Sequence, residues 1–173
     1  KMSNNPLVKL AKETIRSYLT NGVIPQPPKD LEEELIEKRG VFVSIKKHGH
    51  LRGCIGTVEP TKNNVAEEVI HNAVSASTQD PRFPSIKLDE LEDLTISVDL
   101  LSPLEKVTGP SQLNPKKYGI IVTSKSKKGV LLPDLDGVDT IEEQLRIAKG
   151  KGCIAKQEKF EIQRFEVKRF HEQ

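Results

Sequence analysis

"VFVSIKKHGHLRGCIGT", residues 41–57, alternates apolar and polar side chains, turns at a glycine between two histidines, and returns through an arginine, a thiol and two glycines. A period of two puts Val41, Val43 and Ile45 on one face of a strand and Phe42, Ser44 and Lys46 on the other. The register of the return strand depends on the turn, because a slip of one residue moves every side chain to the opposite face. A three-residue turn pairing Lys47 with Leu51 sets Ile45 opposite Gly53, Val43 opposite Ile55 and Val41 opposite Thr57. Ser44, Lys46, Arg52 and Cys54 then share the other face. A two-residue turn would place Arg52 and Cys54 beside Val43 and Ile45, burying a guanidinium without an evident partner, so the first register is preferred.

Around this hairpin the chain mixes helices and strands. Asn5 caps a helix that has Pro6 at its first position, apolar residues Leu7, Ala11 and Ile15 at helical spacing, and a stop at Asn21-Gly22. "PQPPKD", 25–30, is a connector. Asn64, with Glu67 three residues on, opens a second helix that must end before "DPRFP", 80–84. "LTISVDLLSP", 94–103, reads as a buried strand, and "YGIIVTSKSKKGVLLP", 118–133, as a hairpin. Asp139 and Glu142 frame a third helix. The apolar parity of "KFEIQRFEVKRF" changes between Ile162 and Phe165, which predicts a bulge or bend near Gln163. Hairpins and helices without βαβ alternation predict an α+β fold, a mixed or antiparallel sheet flanked by helices.

Composition narrows the class. Of 173 residues, 35% are hydrophobic and 30% charged, the balance of a globular chain with a heavily charged surface. The 27 basic and 25 acidic residues leave a net charge of +2, which does not by itself argue for nucleic acid. The densest basic stretch, "TSKSKKG" at 123–129, reads as a solvated hairpin tip. No apolar run reaches the roughly 20 residues of a membrane span, and "KMSNNPLVKL" lacks a signal-peptide core, so a cytoplasmic location is expected. Two cysteines, Cys54 and Cys153, are too few for a metal site built on thiolates alone, and neither a metal nor a disulfide is expected.

Chemistry concentrates at two stretches. In the first, Gly53 and Gly56 either mark backbone crossings inside a sheet or clear space beside Cys54 for another molecule. Cys54 is either a packed small hydrophobe or, with Arg52 two residues away favouring the thiolate, a nucleophile. His48, His50, His71 and His171 form no readable triad with it. In the second, "DPRF", Asp80 can accept turn N–H groups and Arg82 can present its planar fork to a carboxylate or phosphate. The same two residues can equally tie the loop to its neighbours.

"LRGCIGTVEP", "AEEVIHNAVSASTQDPRFP", "LTISVDLLSPLEKV", "PKKYGIIV" and "GVLLPDLDGVDTIEEQLRIA", in this order, resemble the AMMECR domain family over about residues 6–170. The last stretch is most similar to the bacterial branch, protein A of the AmmeMemoRadiSam system. "KGKGC", 149–153, departs from the family's alanine-containing "KAG", which sets Cys153 aside as a shared functional residue. The resemblance implies one AMMECR-type domain over 1–173, two-lobed, with the N- and C-terminal segments together in the larger lobe and the signature motif lining a cleft. It also implies two partners, a Memo-like protein and a radical S-adenosylmethionine enzyme. S-adenosylmethionine and an iron–sulfur cluster would belong to that second partner, with no cofactor in this chain.

The expected function is an enzyme or enzyme subunit acting on a nucleotide or nucleic-acid group, such as RNA or base modification. In it Cys54 would be nucleophile or carrier, with Arg52, Gly53, Gly56, Asp80 and Arg82 as binding residues. The alternatives are a noncatalytic module that binds a nucleotide or protein in the same cleft and a purely structural scaffold.

Overall fold

The computed structural model describes residues 5–172, the side chain of Glu34 excepted. The described chain divides into two compact units, one formed by residues 5–101 with 168–172 and the other by 102–167.

The first unit is built on the hairpin. Strand β1 (Val41–Lys47) pairs antiparallel with β2 (His50–Thr57), and β1 also pairs antiparallel with β3 (Leu94–Leu101). With β8 (Val167–His171) they form a four-stranded sheet in the order β2-β1-β3-β8. Helix α1 (Pro6–Asn21) starts where Asn5 Oδ1 accepts the Leu7 and Val8 N–H groups at 2.9 and 3.2 Å. It ends at Gly22, whose φ of 72° is open to glycine at little cost. A short helix α2 (Glu33–Ile36), absent from the sequence reading, precedes β1. Helix α3 (Val65–Thr78) is capped by Asn64 Oδ1 as expected and stops before "DPRFP". Val41, Val43 and Ile45 are fully buried in one core with Leu7, Ile15, Val69 and Ala73 of the two helices and Ile96 and Val98 of β3.

The hairpin departs from the expected turn. His48 and Gly49, with φ of 50° and 80°, make a two-residue turn, and Lys47 pairs with His50. Positive φ at both central positions gives the twist that a tight hairpin requires. The expected register still holds from Val41↔Thr57 to Ile45↔Gly53, because a bulge between Ile45 and Lys46 leaves Arg52 as the extra residue.

Gly53 and Gly56 lie three residues apart with no bulge between them, so they face opposite sides of the sheet. A Cβ on Gly53 would strike the backbone carbonyl of Ala76 in α3, and one on Gly56 would strike the Phe42 ring. The space that each glycine frees is therefore filled by the chain itself, which corrects the reading that they jointly open a cleft.

The second unit holds a sheet in the order β4-β7-β5-β6, from β4 (Glu105–Val107), β5 (Gly119–Ser124), β6 (Lys127–Leu131) and β7 (Glu161–Phe165). Helix α4 (Ile141–Lys151) packs on β5 and β6. Its cap is Thr140, whose Oγ1 accepts Glu143 N–H at 3.1 Å, one residue later than expected. The parity change near Gln163 has a different cause from the expected bulge. β7 pairs with β5 in regular register from Glu161 to Phe165, so Ile162 and buried Phe165 occupy opposite faces of the same strand, and after Glu166 the chain enters β8 in the other sheet.

Overpacking against a backbone carbonyl leaves no flexible atom to yield. Gly53→Ala is therefore expected to lower unfolding free energy by about 1–3 kcal/mol or more in urea denaturation, whereas alanine at exposed Lys46 stays within about 0.5 kcal/mol.

Candidate functional site

β2 is an edge strand, so the outward N–H and C=O groups on its free side need partners. At Cys54 the "DPRF" turn supplies both. The Cys54 N–H donates to Asp80 Oδ2 at 3.0 Å, and the Cys54 carbonyl accepts Arg82 Nη2 at 3.4 Å. Arg82 also gives its backbone N–H and Nε to Asp80 Oδ1, both at 3.1 Å, and Nη2 to Oδ2 at 2.8 Å. Asp80 is buried, and burial raises a carboxyl pKa. The bonds from Arg82 and Cys54 outweigh it and hold Asp80 down at about 2. The same pair raises the Arg82 pKa, chiefly through its hydrogen bonds to Asp80 and against the opposing effect of burial.

Cys54 is half-buried on the outer face of the sheet, its Sγ 3.2 Å from Ser44 Oγ. Register carries this polar row to Ser97 of β3. In the adjoining row Phe42 pairs with Asp99, a buried carboxylate that accepts Arg169 Nε and a terminal guanidinium nitrogen at 2.8 and 2.9 Å. The sequence reading passed over Ser97, Asp99 and Arg169. Their signal was the alternation of Ser97 and Asp99 with Ile96, Val98 and Leu100, which marks a strand polar on one face rather than buried on both.

Arg52 is not on this face. The bulge turns it toward Glu90, where it meets Lys47, a residue of the same parity as Ile45. Its Nε and Nη2 donate to Glu90 Oε1 and Oε2 at 3.0 Å each, Nη1 to the Pro84 carbonyl at 2.7 Å, and Nη2 to the Ser85 carbonyl at 3.3 Å. With these bonds made, Arg52 is a structural tie, which corrects its expected place beside Cys54. Arg82 is the arginine that neighbours the thiol. Its side chain is 45% exposed, and Nη1 makes no hydrogen bond among the described residues.

The histidines sit elsewhere. His48 lies at the hairpin turn, 3.8 Å from Asp93, His50 opens β2, and His171 ends β8. His71 lines a separate pocket of α3 with Tyr18 and Pro25. Cys153 is exposed in the second unit. Among the described residues no group of three or more His, Cys, Asp or Glu could hold a metal ion, and no helix is long and apolar enough to cross a membrane.

The AMMECR1 family model matches residues 8–171, nearly the whole chain. This protein belongs to the AMMECR1 family. A Thermotoga maritima relative is 49% identical over 98% of this chain and 99% of its own length. A Clostridium acetobutylicum relative is 51% identical over 99% of this chain, but the chain spans only 37% of that protein. The crystal structure of an uncharacterised Pyrococcus horikoshii protein superposes with a TM-score of 0.87 at 33% identity, covering 96% of this chain and 90% of that one. The α+β class read from the sequence is thus the fold of the family.

Glu90 is held at about 2, well below its ordinary 4.5, first by the hydrogen bonds from Arg52, which outweigh the opposing effect of burial, and then by the Lys87 N–H and Lys47. A depressed carboxyl stabilises the fold above its unfolded pKa, and that stability is lost as pH falls through the folded value. The melting temperature is therefore expected to fall between about pH 4.5 and 2. Glu90→Gln should cost about 2–4 kcal/mol at pH 7 and nothing relative to wild type below about pH 2, read from paired thermal melts across pH.

Proposed function

We propose that the chain is an enzyme or enzyme subunit that uses Cys54 as nucleophile or carrier toward a nucleotide or nucleic-acid group. The observation that carries this reading is the half-buried Cys54 thiol, fixed at the strand edge by the Asp80–Arg82 pair, with the part-exposed Arg82 guanidinium as its cation. A guanidinium beside a thiol favours the thiolate, so the nucleophile needs no neighbouring base. Nη1 of Arg82 is the donor left for a phosphate oxygen, while Ser44 and Ser97 offer hydroxyls on the same face. Of the expected binding residues, Arg82 keeps that role directly, and Asp80 serves it by aiming Arg82. Arg52, Gly53 and Gly56 act through the backbone they hold.

The resemblance to protein A of the AmmeMemoRadiSam system extends the proposal to two partners, a Memo-like protein and a radical S-adenosylmethionine enzyme. Cofactor chemistry would reside in the second. A relative of which this chain spans only 37% supports the idea that the domain works joined to further protein.

The rival reading is a noncatalytic module that binds a nucleotide or protein on the same face. It is favoured by the neighbour of Cys54 Sγ being a serine hydroxyl and not an imidazole.

Alkylation separates the two. Iodoacetamide is expected to modify half-buried Cys54 faster than exposed Cys153 at pH 7, below the ordinary thiol pKa of about 8.5. Arg82→Gln should slow Cys54 several-fold and leave Cys153 unchanged, with both sites read by mass spectrometry of the same molecule. A Cys54 that stays unmodified at every pH in folded protein would end the thiol reading in favour of the binding module.

A further inference from the structure

Charge in the second unit is segregated along helix α4. Residues 130–145, which run into its N-terminal half, hold five acidic residues and no basic one. Beyond its C-terminus the sign reverses. The stretches 123–129 and 149–159 together hold seven lysines against one glutamate, +6 in a chain of net charge +2, so everything else sums to −4.

Tertiary structure brings those two stretches to one place. Gln144 Nε2 donates to the Tyr118 carbonyl, just before β5, at 2.8 Å, and Ala148 and Gly152 lie against Gly129 of β6, so the β5–β6 turn sits past the helix C-terminus. Glu158 ties the two there. Its Oε2 accepts Ser124 Oγ at 3.0 Å, and its Oε1 accepts Lys127 Nζ at 2.6 Å and the Ala155 N–H at 3.0 Å.

Local structure accounts for some of these lysines. Lys127 pairs with Glu158, and Lys149 and Lys151 complement the carbonyl end of α4. Lys128 is the register partner of Thr123, so its side chain leaves by the opposite sheet face from Lys127. Lys125, Lys156 and Lys159 have no such role. Each is next in sequence to a residue tied by Glu158, is exposed, and makes no ion pair among the described residues.

A basic surface of this kind can meet nucleic acid, an anionic lipid surface or an acidic protein. The last two also want apolar contact, an inserted apolar face for the lipid and an apolar core for the protein interface. Among the described residues the exposed large hydrophobics, Val23, Ile24, Ile36, Leu51 and Leu88, all lie in the first unit. A phosphate backbone needs only the cations. We infer that the end of the second unit around Lys125, Lys156 and Lys159 is a docking surface for nucleic acid, holding phosphates without reading sequence. The surface lies within residues 102–167 and is defined without Cys54, so it and the thiol chemistry stand or fall separately.

The test is fluorescence anisotropy of a labelled 20-nucleotide oligouridine titrated with the folded full chain. A Kd of about 1–100 μM is expected at low salt, weakening with a log–log salt slope of about −2, roughly −0.7 for each of the three lysines. Lys125→Glu, Lys156→Glu and Lys159→Glu together should weaken binding about tenfold or more. Lys9→Glu, Lys29→Glu and Lys38→Glu together make the same change of net charge at exposed positions of the first unit and should alter it less than about twofold. No binding at low salt, a salt-independent Kd, equal losses in the two triple variants, or tighter binding to phosphatidylserine vesicles or to a decaglutamate peptide than to the RNA would each overturn the proposal. If the first triple variant fails to fold, Lys156→Glu alone decides, with a loss of about threefold expected.

Discussion

The Asp80 carboxylate has to serve as the missing neighbour of an edge strand. β2 offers its free side to solvent, and an unsatisfied edge invites pairing with another chain. Asp80 takes the Cys54 N–H, and Arg82, gripped by the same carboxylate, reaches the Cys54 carbonyl. Two side chains thereby do the work of one residue on an adjacent strand. The position of Cys54 and the aim of the guanidinium beside it both follow from this one buried charge.

A buried carboxylate with one cation and two N–H donors is a stiff arrangement, because removing any partner leaves charge unsatisfied in a poorly hydrated place. The chain repeats the device. Glu90 gathers Arg52, Lys47 and the Lys87 N–H. Glu68, fully buried in α3, accepts Thr57 Oγ1, Thr61 N–H and Oγ1, and Lys62 N–H, and so anchors the far end of β2. β2 is thus held along its length by three acidic residues. Arg52 and Lys47 are committed to that task, whereas Arg82 stays part-exposed with Nη1 making no hydrogen bond among the described residues.

The hairpin, the helix caps at Asn5 and Asn64, and the α+β class were legible because they rest on local periodicity and on side chains reaching only a few residues. Reading Arg52 beside Cys54 failed for a different reason. A two-residue turn plus a bulge gives the same core register as a three-residue turn, yet sends Arg52 to the other side. Periodicity alone cannot tell these apart, because the residues that define it, Val41 to Ile45, pair identically in both. Asp99 and Arg169 were missed because their partnership spans 70 residues and two strands that only the sheet order brings together.

By itself, the sequence determined the longer helices and the two hairpins, the family, and the two stretches where a thiol and charged groups concentrate. Each depends on which residue types stand near one another along the chain. Only the tertiary structure decided which arginine neighbours the thiol, what fills the space at each glycine, and where the last strand changes sheets. Those outcomes turn on which buried charge captures which donor and which core claims which strand, and both are set by contacts between segments far apart in sequence.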